Sequence, residues 1–150
     1  MKTIKILVVA ATVAFTSCNT KNEKTNIELK DGTNVYYNAY DETALSIDGW
    51  NAFADANETL LGLDKKSYEI STERIENLDE SITNLSGTIP ASLKTEEVLE
   101  DISDVNEEYR KLVDELNEPQ KNIKQNIEEL VEKFDDLREE LNETVEDYVS

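Results

Sequence analysis

Apolar residues from Asn34 to the end of the chain recur at steps of three and four, the spacing of one buried face on an α-helix. Gly and Pro residues interrupt this pattern at three places, so the sequence predicts four helices with short connections. The predicted helices run from Asn34 to Leu61, from Asp64 to Ser86, from Thr95 to Asn117, and from Pro119 almost to Ser150.

Residues with strong preferences for helix ends mark these boundaries. Gly62 is predicted to cap the first helix, and Asp64 to begin the second. Gly87 and Pro90 end the second helix, the glycine as a left-handed cap and the proline as a breaker. Thr95 is predicted to cap the third helix through its hydroxyl group.

The last three predicted helices carry coiled-coil-like apolar seams. Their regularity predicts an all-α protein that forms an antiparallel up-and-down helical bundle over residues 34–150. The seam residues are Tyr68, Ser71, Ile75, Leu78, Ile82, Leu85 and Ile89 in the second helix; Val98, Ile102, Val105, Tyr109, Leu112 and Leu116 in the third; and Ile123, Ile127, Leu130, Phe134, Leu137, Leu141, Val145 and Tyr148 in the fourth.

The stretch around Pro119 permits two architectures. Leu116 and Ile123 are seven residues apart, so the apolar phase continues across the proline, as it would in one long kinked helix. A proline inside a helix costs about 3 kcal/mol, however, and it suits the first position of a new helix. We therefore expect a hairpin, with the rod-like kinked helix as the alternative.

The first eighteen residues have the pattern of a secretory signal peptide. Lys2 and Lys5 precede an apolar run of about ten residues, and small residues lead to Cys18. The run is too short for a membrane-spanning helix, which needs about 20 apolar residues. We expect residues 1–17 to be a cleaved signal peptide, and residues 18–33, which are polar, to form a flexible tether.

Phe15-Thr16-Ser17-Cys18 resembles the lipobox of bacterial lipoproteins, although that family usually has Leu, Val or Ala where this chain has Phe15. The resemblance implies cleavage before Cys18 and lipid on its thiol, often with a further acyl chain on the new amino terminus. Two or more chains, such as palmitate, anchor a protein stably. We expect a location in the bacterial cell envelope, on the outer membrane and facing the periplasm.

The amino-acid composition argues against several kinds of partner and catalytic site. The net charge is −19, with 34 acidic against 15 basic residues, which argues against nucleic acid as a partner. The chain has no His and one Cys, so the commonest general base and the multi-cysteine zinc sites are missing. The acidic residues of the third and fourth helices avoid the apolar seams, which favours a solvated surface. We expect no catalytic activity, no metal and no cofactor.

Four aromatic residues in the first predicted helix form a candidate surface for a ligand or a partner: Tyr36, Tyr37, Tyr40 and Trp50. The alternative is that the tyrosines pack at the edge of the bundle. The stretch NVYYNAYDETALSIDGW is similar to the opening helix of YiiG-like helical lipoproteins, a family of unknown function.

These features favour an acidic interaction or structural module held to the membrane by lipid on Cys18, with an envelope protein as its partner. The charge favours a cationic partner or none, and the helix seams leave room for an oligomer. The alternatives are a binding module for a small hydrophobic ligand at the aromatic end of helix one, or a rod-like coiled-coil spacer.

Overall fold

The computed structural model describes residues 25–38, 40–63, 70–117 and 119–148. Over these residues the protein is mostly helical, with a small three-stranded sheet at its amino-terminal side. Short 3₁₀ helices lie at Glu42–Ala44 and Ala91–Leu93. The main elements are β1 (Thr25–Glu28), β2 (Asn34–Tyr37), β3 (Ser46–Ile47), α1 (Asn51–Leu61), α2 (Thr72–Thr88), α3 (Glu96–Asp114) and α4 (Gln120–Glu146).

The sheet corrects the all-α prediction. Its strands are antiparallel in the order β1-β2-β3, and Val35 of β2 lies opposite Ile27 on one side and Ile47 on the other. Within β2 the exposure alternates, with Val35 and Tyr37 buried between half-buried neighbours, which is the two-residue period of a strand. Gly32, at a φ of 84°, forms the turn from β1 to β2.

Two element boundaries in the structure therefore differ from the predicted ones. The tether predicted over residues 18–33 is wrong from Thr25 onward, because β1 and its turn occupy that part; residues 18–24 lie outside the described residues. The first helix begins at Asn51 rather than Asn34. Gly49 has a φ of 80° and lies in the turn before α1, a conformation that favours glycine.

The later helices agree more closely with the prediction. The Thr95 hydroxyl accepts a hydrogen bond from the Val98 amide at 3.1 Å, which confirms the cap of α3. Gly62 ends α1 as predicted. The predicted left-handed cap at Gly87 is wrong, because α2 continues through it to Thr88. The predicted start of the second helix at Asp64 lies outside the described residues.

The chain reverses direction between α3 and α4. The Asn126 amide donates to the Glu115 carboxylate at 2.8 Å, and the Lys133 ammonium lies 3.5 Å from the Asp104 carboxylate. In one continuous helix Asp104 and Lys133 would lie roughly 40 Å apart. The hairpin is therefore confirmed and the kinked rod is excluded. Pro119 is the residue before the first turn of α4, where its missing N–H has no cost.

Most residues of the predicted seams lie in the core, and Tyr68 lies outside the described residues. The Tyr109 hydroxyl donates to the Ile75 carbonyl at 2.9 Å, which joins α3 to α2. Trp50 stacks on Phe53, and Phe53 stacks on Phe134 of α4, with ring centroids 5.0 and 5.6 Å apart. The buried seam residues are Ile75, Leu78, Ile82, Leu85, Val98, Ile102, Val105, Tyr109, Leu112, Ile127, Leu130, Phe134, Leu137, Leu141 and Val145.

The sheet is fixed to the end of the helical part where α4 finishes. Asp31 and Ser92 exchange two hydrogen bonds: the Ser92 amide donates to the Asp31 carboxylate at 2.9 Å, and the Asp31 amide donates to the Ser92 hydroxyl at 3.1 Å. The Tyr148 hydroxyl donates to the Ser92 carbonyl at 2.9 Å, and the Lys30 ammonium lies 5.5 Å from the Tyr148 ring centroid. We call this end of the domain, which holds β1 to β3, Ser92 and Tyr148, the sheet end.

Candidate functional site

The four aromatic residues predicted as a binding surface lie in different environments. Tyr37 and Trp50 are buried, so they belong to the core and cannot contact a partner directly. Tyr36 is half-buried on the other face of β2, and Tyr40 is 74% exposed. A surface role is therefore open to Tyr36 and Tyr40 alone. Cys18, the predicted lipid attachment site, lies outside the described residues.

A buried arginine ties α1 to α4. Arg138 is 3% exposed, and its Nε donates to the Asn57 Oδ1 at 2.8 Å. The same guanidinium pairs with Asp135 and lies 5.2 Å from the centroid of the Phe134 ring. Each contact holds the side chain inside the protein rather than at a surface, so Arg138 has a structural role. Its place beside the apolar seam, one residue after Leu137, is the only sequence signal for it.

Carboxylates from α3 and α4 gather along the line where the two helices meet. Asp101, Asp104, Asp136 and Glu140 are half-buried there, and Glu97 and Glu143 are exposed beside them. We call these six residues the acidic face. Lys133 bridges two of them, with its ammonium 3.5 Å from the Asp104 carboxylate and 3.1 Å from that of Asp136.

The carboxylates of the acidic face repel one another, as the directions of two pKa shifts indicate. Burial raises the pKa of Asp101, and Asp136 and Asp104 raise it further, while Lys133 opposes them. Burial also raises the pKa of Glu140, and the neighbouring charges of Glu143, Asp101 and Glu97 add to the effect. The negative charge of the acidic face therefore exceeds the positive charge that Lys133 supplies. An excess of negative charge favours the binding of a cation.

A groove of about 680 Å³ opens where the acidic face meets the sheet end. Carboxylates, hydroxyl groups and one aromatic ring line it, and Lys30 is its basic residue. A groove with this lining suits a cationic group better than an apolar one, since the polar lining would be left unpaired by an apolar ligand. The lining residues are Lys30, Ser92, Thr95, Glu97, Glu140, Glu143, Thr144, Asp147 and Tyr148.

A second groove, of about 560 Å³, runs between α1 and α2. Its lining is also polar, with Asp55, Glu58, Glu76 and Glu80 among the residues that face it. Among the residues that the structure describes, no arginine or lysine lines this groove. It therefore extends the acidic character of the surface to the other side of the domain.

Two kinds of site are not found in the part of the chain that the structure describes. No group of three or more acidic or cysteine side chains there is arranged to hold a metal ion. None of the helices described there combines the length and the apolar character needed to cross a membrane.

Comparisons with known proteins assign this chain to no family. No protein-family model matches the sequence, and no curated protein or solved structure is significantly similar to the chain.

Proposed function

We propose that the protein is a lipid-anchored lipoprotein of the bacterial cell envelope, whose acidic helical domain binds a cationic partner without catalysis. The signal pattern and Cys18 support the anchor. The proposed location is the outer membrane, with the domain facing the periplasm. The observation that carries the binding proposal is the acidic face, where half-buried carboxylates exceed the basic groups beside them.

The proposed architecture of the binding domain is an antiparallel up-and-down bundle with a sheet at one end. Consecutive helices contact one another: Arg74 of α2 donates to the Thr59 carbonyl of α1 at 3.4 Å, and Tyr109 of α3 reaches Ile75 of α2. The contacts of Asn126 with Glu115 and of Lys133 with Asp104 join α3 to α4. Short connections between neighbouring antiparallel helices are typical of this bundle class.

The proposed partner is a protein segment rich in lysine or arginine. Opposite charges across an interface raise the association rate and favour one class of partner over others. Binding a cationic group between Asp101, Glu140 and their neighbours would also relieve the repulsion that raises the pKa of both residues. The hydrophobic-ligand alternative is less well supported, because Tyr37 and Trp50 lie in the core.

Calorimetric titration with a lysine-rich peptide tests the binding site. The Glu140→Gln/Glu143→Gln variant removes two charges from the acidic face, and we expect roughly tenfold weaker binding at low salt. The matched control is Glu128→Gln/Glu132→Gln, which removes two exposed carboxylates from the same helix outside this face. Equal loss of affinity in the two variants would mean that the peptide responds only to net charge, and the proposed site would be wrong.

A further inference from the structure

The structured domain begins close to the proposed lipid anchor. β1 begins at Thr25, and its residues pair with β2 through Asn26 opposite Tyr36 and Ile27 opposite Val35. A tether that reached residue 33, as the sequence predicts, could extend to roughly 50 Å. From Cys18 to Thr25 the chain can span roughly 25 Å at most.

The first strand is joined firmly to one end of the domain. The turn after β1 carries Asp31, whose hydrogen bonds to Ser92 and Thr33 hold it in place. Between β2 and β3, the Glu42 carbonyl of the 3₁₀ helix accepts a hydrogen bond from the Asn142 amide of α4 at 3.4 Å. The anchor therefore connects to the sheet end through paired strands rather than through a long loop.

The other end of the domain is farther away than the anchor can reach. We call residues 115–117 together with Pro119 the hairpin tip, where α3 passes into α4. α4 has 27 residues and is about 40 Å long, and it separates the hairpin tip from Tyr148 at the sheet end. An inverted domain, with its hairpin tip on the membrane, would need the sheet end to rise about 40 Å, more than the roughly 25 Å span allows.

We propose that the short anchor orients the domain: the sheet end is apposed to the lipid headgroups, and the hairpin tip is displayed away from the membrane. This inference rests on the proposed lipid anchor at Cys18.

Fluorescence quenching on vesicles tests the orientation. In the lipidated protein the thiol of the only cysteine is used by the anchor, so a cysteine introduced elsewhere is the single labelling site. Asp48→Cys places a fluorophore at the sheet end and Asn117→Cys places one at the hairpin tip; both positions are exposed. With nitroxide groups on the lipid headgroups, we expect roughly threefold stronger quenching at residue 48 than at residue 117.

A variant with a longer anchor is the control. A Gly/Ser insertion of about 15 residues before Thr25 adds roughly 50 Å of reach, and we expect the difference between the two labels to shrink. Equal quenching at both positions in the protein with the native anchor would overturn the orientation and leave the lipid anchor intact. Failure of the unlabelled protein to float with vesicles would overturn the lipid anchor, and the orientation with it.

Discussion

The buried Arg138 provides a sharp test of the packing between α1 and α4. Replacing Asn57 with Leu removes the acceptor of the Arg138 Nε hydrogen bond and keeps a side chain of similar size. A hydrogen bond to a charged group contributes about 1.5–3 kcal/mol, and Arg138 is almost fully buried. Asp135 still neutralises the guanidinium, so we expect Asn57→Leu to destabilise the fold by about 2–3 kcal/mol.

The second half of the test removes the charge itself. Arg138→Met leaves no buried cation, and Asp135, which is 41% exposed, can be solvated. We expect this variant to cost about 1 kcal/mol, chiefly from the unpaired Asn57 amide. In the double variant both polar groups are replaced by apolar ones, which is often close to neutral. The coupling energy between the two positions should therefore be about 3–4 kcal/mol in magnitude.

Urea unfolding followed by tryptophan fluorescence measures these values. Trp50 is the single tryptophan, and it is fully buried against Phe53, so its emission reports on the same part of the core. The reasoning would be refuted if Asn57→Leu cost less than about 0.5 kcal/mol, or if the double variant lost the sum of the two single losses.

Three further predictions concern the core and two carboxylates. Leu112→Ala and Leu130→Ala remove fully buried side chains, and each should cost about 2–5 kcal/mol in urea unfolding. Asp101→Asn should raise the melting temperature at pH 7, because a carboxylate with a raised pKa destabilises the fold while it is ionised. In the native protein, the destabilisation by Asp101 should decrease as the pH falls through that pKa. Burial raises the pKa of Asp31, but the hydrogen bonds from Ser92 and Thr33 outweigh it and lower the pKa to about 2. Because that pKa is lowered, Asp31 stabilises the fold above about pH 4 and loses this effect toward pH 2; Asp31→Ala should cost about 1 kcal/mol at pH 7 after allowance for solvent screening, and little at pH 2.

Each of these predictions has an outcome that contradicts it. Losses below about 0.5 kcal/mol at both leucines would remove them from the core. A lower melting temperature for Asp101→Asn at pH 7 would show that this carboxylate forms a stabilising contact rather than a repulsive one. An equal cost of Asp31→Ala at pH 7 and pH 2 would show that the Ser92 contacts do not depend on the ionised form.

The sequence predicted the last two helices well because their apolar seams are long and regular. Val98 to Leu112 alternates steps of four and three without a fault, and every member of that run is buried. The hairpin could be chosen over the kink only through the cost of Pro119, since the apolar phase is the same in both architectures. Contacts between residues distant in sequence, such as Lys133 with Asp104, distinguish the hairpin from the kinked helix.

The amino-terminal half was predicted less well because its strands are short. β2 has four residues, too few for the two-residue period to outweigh the three- and four-residue steps that link Val35, Ile47 and Trp50 by coincidence. The Asp31-Gly32 pair was the local signal of a turn between strands.

The candidate site was only partly visible in the sequence. The abundance of carboxylates on α3 and α4 can be read directly from it. The charge of Asp101 of α3 raises the pKa of Glu140 of α4. This effect depends on how the two helices pack, which the pattern of one helix does not contain. The burial of Trp50 likewise depends on Phe53 and Phe134, which come from different helices.

The lipid anchor is the central claim, because the location, the short tether and the orientation all depend on it. The most direct test is the mass of the amino-terminal peptide of the protein purified from the bacterial envelope, compared with that of Cys18→Ser. We predict a peptide that begins at Cys18 and carries diacylglycerol on its thiol, and no such species in the variant. A peptide that begins elsewhere, or one that contains Cys18 with a free thiol, would contradict the account.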